Sequence, residues 1–174
     1  MRILAISGSL RGGSSNTAVL KAARQLAPAG LEVVLYDGLA GLPHFNPDLD
    51  QAEPPMPVQA LRRQVGRCDG LIICCPEYAH GVPGVMKNAL DWLVASVEFP
   101  GKPVALINTS VQACHAPAQL RETLSVMGAR LIEPACIALP LPSSSLDASA
   151  IVADSGLATA LQRALADFGQ AIRS

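Results

Sequence analysis

The chain has 174 residues, half of them hydrophobic, 16% charged and 3% aromatic, with a net charge of −1. That balance leaves no cationic stripe for a phosphate backbone and few rings for stacking bases, so nucleic acid is not an expected partner. No apolar run reaches the length of about 20 residues that a membrane span needs, and "MRILAIS" is too short for the core of a leader peptide, so a single cytoplasmic domain is expected.

"RILAIS" (2–7) is a continuous apolar run that ends in Ser and Gly, the pattern of a strand buried on both faces. Val19, Leu20, Ala23, Leu26 and Ala27 then recur at helical spacing over 15–27. "EVVLYD" (32–37) predicts a second strand after the helix-ending "PAG". The Pro-, Gly- and Asp-rich stretch that follows predicts a surface loop of about 20 residues, long enough to suggest a role in covering a ligand or meeting another subunit through His44 and Phe45.

Val58, Leu61 and Val65 mark a second helix, and "DGLIICC" (69–75) a third, fully apolar strand. Val85, Ala89, Trp92 and Leu93 share one face of a third helix, with Trp92 expected in the core. "PVALIN" (103–108) is a fourth strand, and Leu120, Leu124 and Met127 stripe a fourth helix. The fifth strand, within 130–140, is interrupted near Pro134. After a linker, "SSSLD" (143–147), Leu157, Leu161, Leu165, Phe168 and Ile172 form the buried stripe of a C-terminal helix.

Strands alternating with helices predict right-handed βαβ units, a parallel sheet and helices on both faces. Five strands in this length suit an α/β three-layer sandwich of the flavodoxin-like kind, strand order 2-1-3-4-5. Ligands bind such sheets beyond the carboxyl ends of the strands, where the order reverses between strands 1 and 3. The loops there, 8–16 and 76–84, are also the two most unusual in composition.

The first, "GSLRGGSSN", opens a helix whose leading N–H groups favour an anion. Ser9, Ser14, Ser15, Asn16 and Thr17 add neutral donors, Arg11 adds a full charge, and Gly12 and Gly13 let the backbone wrap closely. This set suits a monophosphate. GxxxxGK[ST] and GxGxxG are both missing, which argues against a triphosphate and a pyrophosphate. The second loop, "PEYAHGVPG", places Tyr78 and His80 to flank a flat ring.

Together, "GSLRGGSSN" and "PEYAHGVPGVMKNALDWL" closely resemble the GSxRxxSxN and PEYNxxxPGxLKNAIDWL motifs of the NAD(P)H-dependent FMN reductases, a family that includes quinone, chromate and azo-dye reductases. The resemblance covers most of the chain and implies FMN as cofactor and NADPH or NADH as electron donor. It implies that Ser9, Arg11, Ser14, Asn16 and Thr17, with Ser15 adjacent, hold the FMN phosphate. Pro76, Glu77, Tyr78, Ala79, His80 and Gly81 would line the isoalloxazine and ribityl chain, and Thr109 and Ser110 would contact the ring. Two departures stand out. Ala79 replaces the family's usual Asn, and the loop 109–119 has no glycine where the family has SxGxxGG.

The resemblance also implies that the cofactor carries the chemistry, passing hydride from a nicotinamide to a small acceptor such as a quinone or a flavin, with no obligatory protein acid or base. A homodimer or homotetramer is expected on the same ground. The alternative reading is an FMN-binding electron carrier without nucleotide oxidation, although such carriers tend to be strongly acidic and this chain is near neutral. A thiol enzyme built on Cys114 and His115 is disfavoured, because adjacent residues rarely face one another and no third partner is indicated. The five Cys include no CxxC pair and the three His lack ligand spacing, so reduced thiols and no metal are expected.

Overall fold

The computed structural model describes residues 1–141 and 146–174. Its parallel sheet is built from β1 (Arg2–Ser7), β2 (Glu32–Leu35), β3 (Gly70–Cys74), β4 (Pro103–Asn108), β5 (Arg130–Leu131) and β6 (Ile137–Ala138), in the order β2-β1-β3-β4-β5 with β6 also on β4. The flavodoxin-like order read from the sequence is the order observed. The expected second strand is shorter than 32–37, ending at Leu35.

The fifth strand position is divided. β5 pairs with Pro103 and Val104, and β6 pairs with Ile107 and Asn108 on the same strand. Between them a 3₁₀ turn, Glu133–Ala135, takes up the extra residues around Pro134, which has no N–H for a ladder bond. The Leu106 N–H, opposite this interruption, donates to Cys136 Sγ at 3.4 Å instead of to a strand carbonyl. By count this makes a sixth strand, a minor addition to the five expected.

Side chains alternate between two cores along each strand, which is why the strand sequences read as unbroken apolar runs. Leu4, Ile6, Leu71, Ile73, Val104 and Leu106 face α2 (Met56–Gly66), α3 (Gly84–Leu93) and α4 (His115–Val126). Ile3, Ala5, Ile72, Cys74, Ala105 and Ile107 face α1 (Ser15–Leu26), α5 (Ala148–Ala153) and α6 (Ser155–Arg173). The sequence reading merged α5 into the approach to the last helix. Asp147 caps α5, and Asp154 ends it and caps α6 in turn. Residues 143–145 of the expected "SSSLD" linker lie outside the described residues. All five cysteines carry free thiols.

Trp92 is fully buried, as expected, and it also anchors the long loop after β2. Its Nε1 donates to Pro43 O at 2.8 Å, Asn88 Nδ2 donates to the same carbonyl at 2.9 Å, and the Phe45 ring meets the indole edge-on. Arg62 spans Trp92 O and Asp50, closing the other end of the loop. The loop is therefore strapped onto α3 by residues of the "KNALDW" motif.

Candidate functional site

Three loops meet at the carboxyl ends of β1, β3 and β4, which are neighbours in the sheet. The first begins at Gly8, whose N–H donates to Cys74 O at 2.9 Å and so continues the β1–β3 ladder. A Cβ on Gly8 would run into Sγ and Cα of Cys75, so only glycine lets these two chains lie this close. Ser7 Oγ accepts both the Thr17 hydroxyl at 2.8 Å and the Ser9 N–H at 3.3 Å. Ser9 Oγ accepts the Arg11 N–H at 3.3 Å, and Ser14, the N-cap of α1, accepts the Thr17 N–H at 3.4 Å. Because Ser9 and Ser14 act as acceptors here, their O–H groups remain available to donate.

The first turn of α1 contains no acidic residue, so its dipole is not met by a carboxylate of its own. Arg11 is exposed, and its guanidinium has no protein partner among the described residues. A Cβ on Gly12 or Gly13 would meet nothing within 4 Å, and neither has a positive φ. These two glycines are therefore required by neither backbone strain nor protein packing. They leave open space beside an electropositive helix start, which fits a phosphate.

The second loop closes on itself: Tyr78 N–H donates to Gly81 O at 3.1 Å and Gly81 N–H to Tyr78 O at 3.0 Å. The two residues between, Ala79 and His80, have φ of 49° and 59°, the left-handed pattern of a type I′ turn. Asn and Gly are the usual occupants of such positions, so Ala79 and His80 are held there by their surroundings. Glu77 supplies much of that hold. Its Oε2 accepts the Ala116 N–H at 2.8 Å, and its Oε1 lies 3.7 Å from His80 Nδ1. The Ala116 hydrogen bond, aided by a second from the His115 backbone and by the nearby imidazoles, holds the Glu77 carboxyl below the usual range. Gln119 Oε1 accepts the Val82 N–H at 2.8 Å, tying α4 to the same loop a second time.

The third loop, 109–114, takes its shape from Asn108 rather than from glycine. Asn108 Oδ1 accepts the Ser110 N–H at 3.1 Å and Nδ2 donates to Ala113 O at 3.0 Å, while Ser110 Oγ accepts the Gln112 N–H at 3.2 Å. No residue of this loop has a positive φ, so the glycine-free sequence adopts it without strain. Cys114 is exposed, and His115 meets His80 edge-on with ring centroids 4.4 Å apart.

Asn16, Pro76, Glu77, Thr109 and Ser110, drawn from all three loops, line one open pocket of about 610 Å³ together with Cys75 and Asn108. Ser15 joins Thr109 and Ser110 around an adjoining hollow, and Ser14 and Thr17 face a third beside Gly12 and Gly13. Tyr78, Ala79, His80 and Gly81 sit at the tip of the second loop rather than in these walls. The sequence reading missed Ser7, Asn108 and Gln119, which shape the loops without lying in either motif. Only Asn108, a polar residue closing an apolar strand, carried a signal.

An open helix start and a pocket, both at the switch point of a flavodoxin-like sheet, are the setting in which such folds hold a mononucleotide. The model of the NADPH-dependent FMN reductases matches residues 1–141. The chain is 32% identical to an NAD(P)H-dependent FMN reductase of Pseudomonas aeruginosa, across 95% of this chain and 91% of that one. It is 42% identical to a quinone reductase of Escherichia coli over 63% of this chain and 60% of the relative. Among solved structures, the flavoenzyme NAD(P)H:(acceptor) oxidoreductase FerB of Paracoccus denitrificans superposes with a TM-score of 0.83 at 29% identity, covering 99% of this chain and 97% of that one. The chain belongs to the NADPH-dependent FMN reductase family, and its chemistry is NAD(P)H-dependent oxidoreduction with FMN. Among the described residues no helix is long and apolar enough to cross a membrane.

Proposed function

We propose that residues 1–174 form one FMN-binding domain that uses NADPH or NADH to reduce a quinone-type acceptor. The observation that carries this reading is the single pocket to which Asn16, Glu77 and Thr109 are brought from three separate loops. Arg11, the hydroxyls of Ser9, Ser14 and Ser15, the Asn16 side chain and the first N–H groups of α1 would hold the phosphate, while Thr17, whose hydroxyl proton goes to Ser7 Oγ, would shape the loop rather than donate to the ligand as the motif implied. The loop from Pro76 to Gly81, with Thr109 and Ser110, would border the flat ring. When bound, FMN supplies the capacity to take hydride from a nicotinamide and pass its electrons on.

The protein's own work in this reading is positioning. Glu77 and Gln119 brace the second loop against α4, and Asn108 braces the third, so hydrogen bonds within the protein fix the walls of the pocket. The quinone-type acceptor is supported by the likeness to quinone reductases. A cytoplasmic homodimer or homotetramer is part of the same reading, with the exposed Val94 and Val97 beyond α3 as the apolar surface that a second copy would cover.

The test is a visible spectrum of the purified protein, alone and with added FMN, followed by NADPH and NADH oxidation with a benzoquinone or with ferricyanide. Flavin absorbance and acceptor-dependent nucleotide oxidation are expected. Absence of FMN binding at tens of micromolar would overturn the site. Binding without nucleotide oxidation would make the protein an electron carrier.

A further inference from the structure

Asn16 is the second residue of α1, and only 6% of its surface is exposed. Its Oδ1 receives two donors from different elements, Cys74 Sγ–H at 3.2 Å from the end of β3 and the Thr109 hydroxyl at 3.4 Å from the third loop. With both lone pairs of the amide oxygen occupied, the other end of the amide is turned away from the core. Nδ2 has no protein partner among the described residues, and Asn16 lines the pocket shared by the three loops. The amide is thus a fixed donor at the pocket wall.

We propose that Cys74 is a positioning residue for the ligand, its thiol hydrogen bond fixing the Asn16 amide so that Nδ2 donates into the pocket. The inference rests on the FMN site proposed above. Cys74 is fully buried, and burial, with Cys75 adding to it, pushes its thiol well above the ordinary range. It keeps its proton and stays a donor. A thiolate in its place could only accept, and the amide would have to turn its NH₂ inward. The sequence alone makes Cys74 look like a small apolar filler of a strand. Its contact with Asn16, 58 residues earlier in the chain, is what distinguishes it from Cys75 beside it.

FMN titrated into the full chain, read by quenching of its fluorescence, tests the assignment. Cys74→Ala removes the donor and is expected to weaken FMN binding about fivefold, the scale of one neutral hydrogen bond. Cys74→Ser, which keeps a donor, restores the affinity. In an Asn16→Ala background the same Cys74→Ala change has no further effect, because the residue through which it acts is gone. Cys74→Val, which fills the strand position without a donor, serves if the alanine variant does not fold. Unchanged affinity in Cys74→Ala, failure of serine to rescue, or an undiminished penalty in the Asn16→Ala background would each overturn the proposal. Failure of the unaltered chain to bind FMN would instead overturn the proposed function, so the two failures are distinct.

Discussion

Glu77 Oε2 accepts the Ala116 N–H at 2.8 Å, so a carboxylate from the loop after β3 caps the helix that follows β4. Cys114, the residue in the N-cap position of α4, makes no side-chain cap of its own. The start of α1, at the same end of the sheet, is capped by the neutral Ser14 and has no acid in its first turn. One helix start is thus met by a carboxylate from another loop, and the other has no carboxylate in its own first turn. Glu77→Gln keeps an acceptor but removes the charge, and is expected to lower Tm at neutral pH. The folded state holds this carboxyl below its ordinary value near 4.5, so its contribution is present above that pH and is lost as the pH falls further. The gap in Tm between the parent and Glu77→Gln therefore closes on acidification, which melting curves across pH will show.

Ala79 occupies a left-handed position with φ of 49°. Ala79→Asn places a residue that tolerates this conformation in the same turn, and should stabilise the protein by about 1 kcal/mol. The urea midpoint measures it. No change would mean that the turn relaxes in solution.

Gly8 and Gly13 stand in one loop for different reasons. Gly8→Ala brings Cβ against Cys75 and should cost about 1–3 kcal/mol, as overpacking does. Gly13→Ala meets only open space, so its urea midpoint should shift by less than about 0.5 kcal/mol while FMN binding weakens. Equal stability losses in the two variants would contradict this division.

Arg11→Ala should weaken FMN binding by about 1.5–3 kcal/mol, the range for a hydrogen bond to a charged group. Riboflavin, which lacks the phosphate, should bind both forms alike. A matching loss for riboflavin would move Arg11 away from the phosphate.

The sheet order and the loops that meet at the candidate site were legible in the sequence because strand periodicity and loop composition are local properties. Arg2–Ser7, Gly70–Cys74 and Pro103–Asn108 carry their burial in their own residues. The bracing of the loops was not legible, since Glu77 with Ala116 and Cys74 with Asn16 are contacts between residues distant in sequence. Gly8 was legible as a loop glycine but not as a packing one, because the atom it makes room for belongs to another strand. The helix Ala148–Ala153 escaped because it is a single short turn-and-a-half set off by two aspartates.

The divided fifth strand limits what the margin of the sheet offers to another strand. β5 and β6 each offer two residues at the sheet margin, with a 3₁₀ turn between them, and β2 at the opposite margin offers four. A margin this short and broken gives an incoming strand too few consecutive N–H and C=O groups to pair with, so the sheet resists runaway strand-by-strand growth. Contacts between copies of the proposed oligomer would therefore have to come from helices and loops instead of from strand pairing.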